Sequence, residues 1–486
     1  MSWTSLQIVL LSTLVAGSWG LSAGQEEWPH AGARGKKPVN AGVERRNAPI
    51  AHNMRQIGFS DMDGRADGEQ VVGQIINGRD YLFVGHYGSK GVTVLDATDP
   101  TRPEVVKFIP SHMPDTRYVK VQVVGTTLMA GYYQDNTAYP EPKVPPETGV
   151  VIWDVSDPAS PKQLANYVTG TREGGGFTGG GTHKFWFNDG RYAHLGAGVD
   201  GYEGNIYLIL DLEDPANPEE VGRWWFPGQH TAGGETLAPE MKGIGAHAAQ
   251  TDRSGKLGFY SILTDPPGGL IMLDLADYSK PQMLSYLDLS PPMVDGYFGI
   301  HNVITLDSRK LLVTMNEATR YRLEEPQQTG WVVDYRDPKN PVILSILPTE
   351  ETGRTDLRQS VRYGPHNGHE NRNDGLVDDW MVYISWFNGG VRVFDLSDPR
   401  HPVEAGYYIP PDPKWKMDER PLNYQGRHVG SDLIALQDVW VDTRGYLYCT
   451  DYNAGLFVLE YTGPRPEGSR RALEEARAER QRRISR

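Results

Sequence analysis

Cysteine is nearly missing from this chain: Cys449 is the only one in 486 residues. An internal disulfide is therefore excluded, and a lone thiol in the strand-like run YLYCTD reads as a small buried hydrophobe. Grouped cations are also lacking. The formal charge is −14, and no basic stripe interrupts the body of the chain. Phosphate neutralisation takes clustered Lys and Arg, so no nucleic acid is expected as a partner. No apolar run reaches bilayer length at the N-terminus, where MSWTSLQIVLLSTLVAGSWGLSAGQ is apolar from Leu6 to about Gly17. Followed by small residues, that run predicts a signal peptide over 1–24, cleaved near Ala23 or Gly24, although no Lys or Arg precedes it. The expectation is a periplasmic or secreted protein with no integral membrane span after cleavage. Familiar catalytic motifs are scarce as well: the P-loop, His-Glu-x-x-His and Cys-x-x-Cys do not occur, and GLSAG at 20–24, inside the expected signal peptide, is no nucleophile elbow. The glycine-rich GGGFTGGGTH at 174–183 lacks the P-loop lysine and leads into a strand, which suits a loop at a channel mouth.

What is abundant is glycine (55), proline (35) and tyrosine (25), a composition for short aromatic strands and tight turns. One pattern recurs throughout: an apolar strand ending in an acidic turn. It appears as VTVLDATDPTRP (92–103), VVIWDVSDPASP (150–161), YLILDLEDPANP (207–218) and LIMLDLADYSKP (270–281). WVVDYRDPKNP (331–341) and VRVFDLSDPRHP (391–402) follow, and LFVLEYTGP (456–464) is a degenerate last copy. The first aspartate caps the turn, Asp-Pro sets it, and the second proline starts another extended piece. Two further strand-like runs precede each acidic motif. Four strands in each of seven repeats predict an all-β chain, a seven-bladed β-propeller over 54–464. The last repeat stops after its third strand, and MRQIGFSDM (54–62) resembles the missing fourth. The N-terminal strand is therefore expected to complete the last blade and close the ring. Residues 25–53 form a lead-in, and 465–486 a charged tail, at most a solvated helix.

Four successive repeats open with Gly-x-His: GTH ending at His183, GAH at His247, GIH at His301 and GPH at His366. Each histidine lies 30–36 residues before the second aspartate of its own repeat, at the start of the innermost strand. Innermost strands ring a propeller's axis, so the four imidazoles are expected to converge there. Neutral imidazoles suit Fe, Zn, Cu, Ni or Mn, and four of them leave the ion its full charge and room for further ligands.

The acidic copies resemble the LVIVD repeat family of exported bacterial and archaeal proteins, over roughly residues 70–462. The four-histidine pattern is similar to that of the carotenoid cleavage oxygenases, propellers whose four histidines hold a non-haem Fe(II). It is also similar to the selenium-binding-protein-type methanethiol oxidases, propellers with histidine-bound copper. These resemblances imply a propeller with a divalent transition metal on its axis, Fe(II) favoured, with Zn, Cu or Mn as alternatives.

Histidine ligands pass their second N–H to a carboxylate or carbonyl, and Glu317, Glu370 and Asp265 are candidates for that role. His369, three residues beyond His366, is a candidate fifth ligand or proton shuttle, so His369, Glu317 and Glu370 form the expected catalytic set. His52, His86 and His194 fall at other phases of the repeat. Phe185, Trp186, Phe298, Trp386 and Phe387 suit either the wall of an apolar pocket or simple core. The expected function is an exported metal-dependent oxygenase cleaving a small organic substrate. A metal-dependent hydrolase or lyase, or a non-catalytic propeller that binds a protein or glycan, is the alternative.

Overall fold

The structure, a computed structural model, describes residues 37–38, 46–113, 116–134, 147–171, 181–263, 268–288, 299–318, 327–348, 362–416, 423–424, 427–428 and 433–484. The signal-peptide segment, the 174–180 glycines, Asp265 and Phe298 lie outside them. Among the described residues no helix is long and apolar enough to cross a membrane.

Among the described residues the chain is all-β apart from short 3-10 turns and one C-terminal helix, and it is built as a β-propeller of consecutive antiparallel sheets. The first two groups of four strands, Gly68–Pro110 and Thr116–Thr171, share one eight-stranded sheet, joined at His86 and Tyr118. Four-stranded sheets follow over Phe185–Trp224, Ala246–Leu287 and Ile300–Ile346. The strands of Met381–Ile409 gain Ile50–His52 on their outer edge, and those of Leu436–Tyr461 gain Met54–Ser60.

The acidic turns form for the reason their sequence gives. Asp96 accepts the Thr98 N–H and Asp99 the Thr101 N–H, and the same pair of caps recurs at Asp274 with Asp277 and at Asp395 with Asp398. The strand after the acidic turn then carries a bulge in each of six four-strand groups, at Val106, Leu164, Val221, Leu284, Leu344 and Ala405. An extra residue there bends the strand and turns an apolar side chain inward. The N-terminal strand has the same bulge at Ile57.

Neighbouring sheets meet in two recurring ways. On the outside, Ser285 and Ser345 donate to the carbonyls of Pro338 and Pro399 in the next acidic turn, each at 2.7 Å. Gly222 and Gly58 sit at the equivalent place, where a Cβ would overlap the carbonyl oxygens of Tyr278 and Pro100. Near the axis, an inner-strand side chain takes a backbone N–H of the next inner strand: Gln70 from Val121, Gln122 from Phe187 and Gln250 from Val303. Asp438, in the last sheet, accepts the Val71 N–H of the first at 3.0 Å.

The C-terminal helix Glu467–Ile484 is docked, which differs from the solvated helix its composition suggests. Arg480 pairs with Asp80 at 2.6 Å, Ser469 donates to buried Asp378, and Leu473 packs against the chain at Gly445. Its grip is ionic and local instead of an apolar stripe, so hydropathy patterning does not register it.

Candidate metal centre

The four Gly-x-His imidazoles come together. Ring centroids are 4.7 Å apart for His183 and His247, 4.1 Å for His247 and His301, and 4.5 Å for His301 and His366. The glycines permit this approach. Gly181 has φ 72°, and a Cβ on Gly299 would collide with the Leu263 carbonyl. The inner strands are bulged at the histidines themselves, since His247 and His301 have no cross-strand partner while their neighbours on both sides do. Bulges re-aim side chains, and here they turn the imidazoles off the sheet toward one another.

Tautomers follow from the hydrogen bonds. His247 donates from Nδ1 to the His301 carbonyl, and His366 from Nδ1 to the Gln437 carbonyl, each at 2.7 Å. Both Nε2 lone pairs are thus left free for another partner. His301 is fully buried, and neither of its ring nitrogens has a hydrogen-bond partner among the described residues. A buried imidazole with both nitrogens unmet is costly, and a cation accepting Nε2 removes part of that cost. Burial pushes all four imidazoles below their ordinary proton affinity, His247 to about 3, so they are neutral and able to ligate.

Glu317 lies on the free-nitrogen side of this row. Its carboxylate oxygens are 3.7 Å from His301 Nε2 and 3.8 Å from His366 Nε2. Ligand atoms of His247, His301 and Glu317 all lie within 4.8 Å of one another. The expected role of Glu317 as acceptor of a second N–H is not what the geometry gives: backbone carbonyls take those protons, and Glu317 faces the ligating edge. Arg362 pairs with Glu317, lies over the Phe387 ring at 3.9 Å, and Phe387 in turn stacks on His366 at 4.6 Å. Phe387 adopts φ 41°, a strained value for an aromatic residue, held by the Leu436 N–H on its carbonyl.

The other expected catalytic residues are spent elsewhere. His369 donates from Nε2 to the Leu376 carbonyl and accepts the Val441 N–H at Nδ1, so both nitrogens tie backbone together. Glu370 pairs with Lys184 at 2.7 Å and accepts from Gln250. The chain beyond it continues across neighbouring inner strands: Asn371 donates to the Thr305 carbonyl, Arg372 to that of Val123, and the Asn373 N–H to the Asn188 side-chain oxygen. His86 is buried between Asp67 and Thr93, His194 packs on Tyr207, and His52 is exposed, so none of these joins the cluster. Phe185 and Trp386 are core residues, Trp186 lies under Arg372, and Phe387 alone of the described aromatics stacks on a cluster imidazole.

Sequence reasoning missed Glu69 and Lys120. Glu69 Oε1 is 3.6 Å from His366 Nε2 and 2.7 Å from Lys120 Nζ, and both residues are buried. Their inner strands lack the Gly-x-His motif. The usable signal was a charged residue inside an otherwise apolar strand, in GEQVV and RYVKVQVV.

The LVIVD repeat family model matches residues 147–169 and 381–409, two of the strand-turn-strand units described above. No curated protein matches the chain. Among solved structures, hydrazine synthase of Kuenenia stuttgartiensis aligns at 11% identity with TM-score 0.50, covering 83% of this chain and 96% of its own. The β-propeller domain of Cps50 (Swd1) from Myceliophteria thermophila aligns at 11% identity, TM-score 0.48, covering 85% and 98%. A hypothetical selenium-binding protein of Sulfolobus tokodaii aligns at 14% identity, TM-score 0.45, covering 84% and 94%. At these identities the likeness concerns the fold alone.

Proposed function

We propose that this chain is an exported seven-bladed β-propeller, closed into a ring by Met54–Ser60, that holds one divalent metal at its axis and works as a non-haem Fe(II)-type oxygenase on a small organic substrate. Closure is supported by two contacts of the last sheet with the first, Gly58 against Pro100 and Asp438 on Val71, which repeat the contacts of consecutive sheets.

The observation that carries the metal reading is the continuous row His183–His247–His301–His366, with Glu317 across the free Nε2 edges. The residues fit the group: imidazoles are neutral, two tautomers are fixed with Nε2 available, and His301 has no hydrogen-bond partner among the described residues. Two histidines with one carboxylate and open positions are the donor set typical of Fe(II) oxygenases, and His247, His301 and Glu317 provide one. Bound Fe(II) would supply the activation of dioxygen, for which side chains alone have no chemistry. The chain's own part is positional. Backbone carbonyls orient His247 and His366, Arg362 holds Glu317, Phe387 backs His366, and burial keeps His301 and His366 out of bulk water.

The test is metal analysis of protein purified without a polyhistidine tag, beside a His247→Ala/His301→Ala double variant. About one metal per chain, lost in the variant, supports the reading; substoichiometric metal unaffected by the double substitution refutes it. Iron or copper with substrate-dependent oxygen uptake supports the oxygenase, whereas zinc or manganese without uptake replaces it with a hydrolase or lyase. Cell fractionation tests export.

A further inference from the structure

The inner strands that lack a Gly-x-His carry the charged residues Glu69, Lys120 and Asp438, and further charged groups sit beside the histidines. Three ion pairs form among these groups: Lys120 with Glu69 at 2.7 Å, Lys184 with Glu370 at 2.7 Å, and Arg362 with Glu317. Each pair is neutral as a unit, whichever partner holds the proton. A divalent ion ligated by neutral imidazoles therefore adds two charges that these pairs do not cancel, and the further buried carboxylate of Asp438 offsets at most one of them. Uncompensated charge in a buried site is expensive, and an anion is the natural completion.

One of the cations is under-used. Lys184 has two acceptors, Glu370 Oε1 and Asn367 Oδ1 at 3.2 Å. Lys120 has none of its surface exposed, yet among the described residues its three ammonium protons meet one side-chain acceptor, Glu69 Oε1. Its position is beside the row, because the Glu69 oxygen it holds at 2.7 Å lies 3.6 Å from His366 Nε2. Resting on the metal reading above, we propose that the substrate carries a carboxylate, and that Lys120 is the residue that anchors this carboxylate beside the metal. The ammonium and the ion together select a small monoanion over its neutral analogue, and the Glu69 partner holds Lys120 in place until the anion arrives.

Metal-stripped protein would be titrated with cobalt(II) alone, followed by its visible bands, and then with benzoate or with imidazole, an uncharged metal ligand. Lys120→Met leaves Glu69 buried without its partner, so Lys120→Met/Glu69→Gln is made beside it to keep the pair neutral, and thermal unfolding shows that both fold. The expected result is a loss of about tenfold in benzoate affinity in the double variant, about 1.4 kcal/mol, with imidazole affinity within about twofold of wild type. Lys120→Arg retains most of the benzoate affinity. Equal losses for both probes, or unchanged benzoate binding, overturn the role of Lys120 while leaving the metal centre standing. Failure of cobalt(II) to bind before any anion is added refutes the metal reading itself, and this proposal with it.

Discussion

His301 offers a test in which stability and ligation move in opposite directions. The side chain is fully buried, and one ring N–H and one lone pair go unmet among the described residues. Each unmet buried group costs about 1–3 kcal/mol, so the metal-free protein carries a burden of about 2–6 kcal/mol at this position. His301→Leu removes both groups, and imperfect fit of the new side chain returns about 1 kcal/mol. The net gain is about 1–5 kcal/mol. For a folded unit of roughly 430 residues the unfolding entropy is about 0.9 kcal/mol per degree, so the melting temperature rises by about 1–5 °C. Metal at about a thousand times its dissociation constant stabilises wild type by about 4 kcal/mol, or about 4–5 °C, through linkage. The variant, short of a ligand from the middle of the row, loses most of that increment. Scanning calorimetry of both proteins, chelated and metal-loaded, measures all four quantities. A metal-free variant less stable than metal-free wild type, with the metal-induced rise intact, would refute the argument that His301 is kept unsatisfied for a cation.

Three further outcomes are expected. His369→Ala strands the Leu376 carbonyl and the Val441 N–H and costs about 2–4 kcal/mol in urea unfolding, with metal content per folded chain unchanged; loss of metal from well-folded variant would restore His369 to the site. Burial raises the Asp451 carboxyl to about 6, against 3.8 unfolded, although the backbone N–H groups of Ala435, Asn453 and Ala454 pull it down. The native state therefore binds this proton more tightly, and the group's contribution to stability falls by about 3 kcal/mol as pH rises from about 4 to 6. Asp451→Asn should abolish that slope in wild-type-minus-variant urea midpoints, and an unchanged difference between pH 4 and 8 would contradict it. Gly58→Val drives a side chain into the Pro100 carbonyl and should cost about 1–3 kcal/mol, with faster proteolytic release of the N-terminal strand; resistance equal to wild type would mean the seam is not packed as described.

The repeat was legible because every copy solves the same local problem, an apolar strand that must end, and Asp-Pro is a local answer. The four histidines were legible because repetition converts sequence phase into spatial position. The N-terminal strand announced itself by Ile57-Gly58, the pattern of the other bulged outer strands such as Val221-Gly222. Glu69 and Lys120 were hidden because their partners lie on other sheets, and no local spacing relates Lys120 to the imidazoles it influences. His369 misled for the converse reason. An H-x-x-H spacing suggests a shared ion, but His366 and His369 lie on an irregular inner segment and their nitrogens meet different groups. Glu317 was found with its role inverted, since sequence gives which residues are near a site and not which nitrogen they face.

The strand Met54–Ser60 pairs with Leu456–Tyr461, nearly the whole length of the chain away. The ribosome makes the first of these roughly 400 residues before the second, and at about 5–20 residues per second the delay is roughly 20–80 s. For that interval the last sheet's outer strand exists with nothing to pair with, its open edge free to find a wrong neighbour. Completion of the molecule therefore has a fixed order in time: one of the earliest strands synthesised is among the last to dock, and any chain cut short before Tyr461 leaves it waiting.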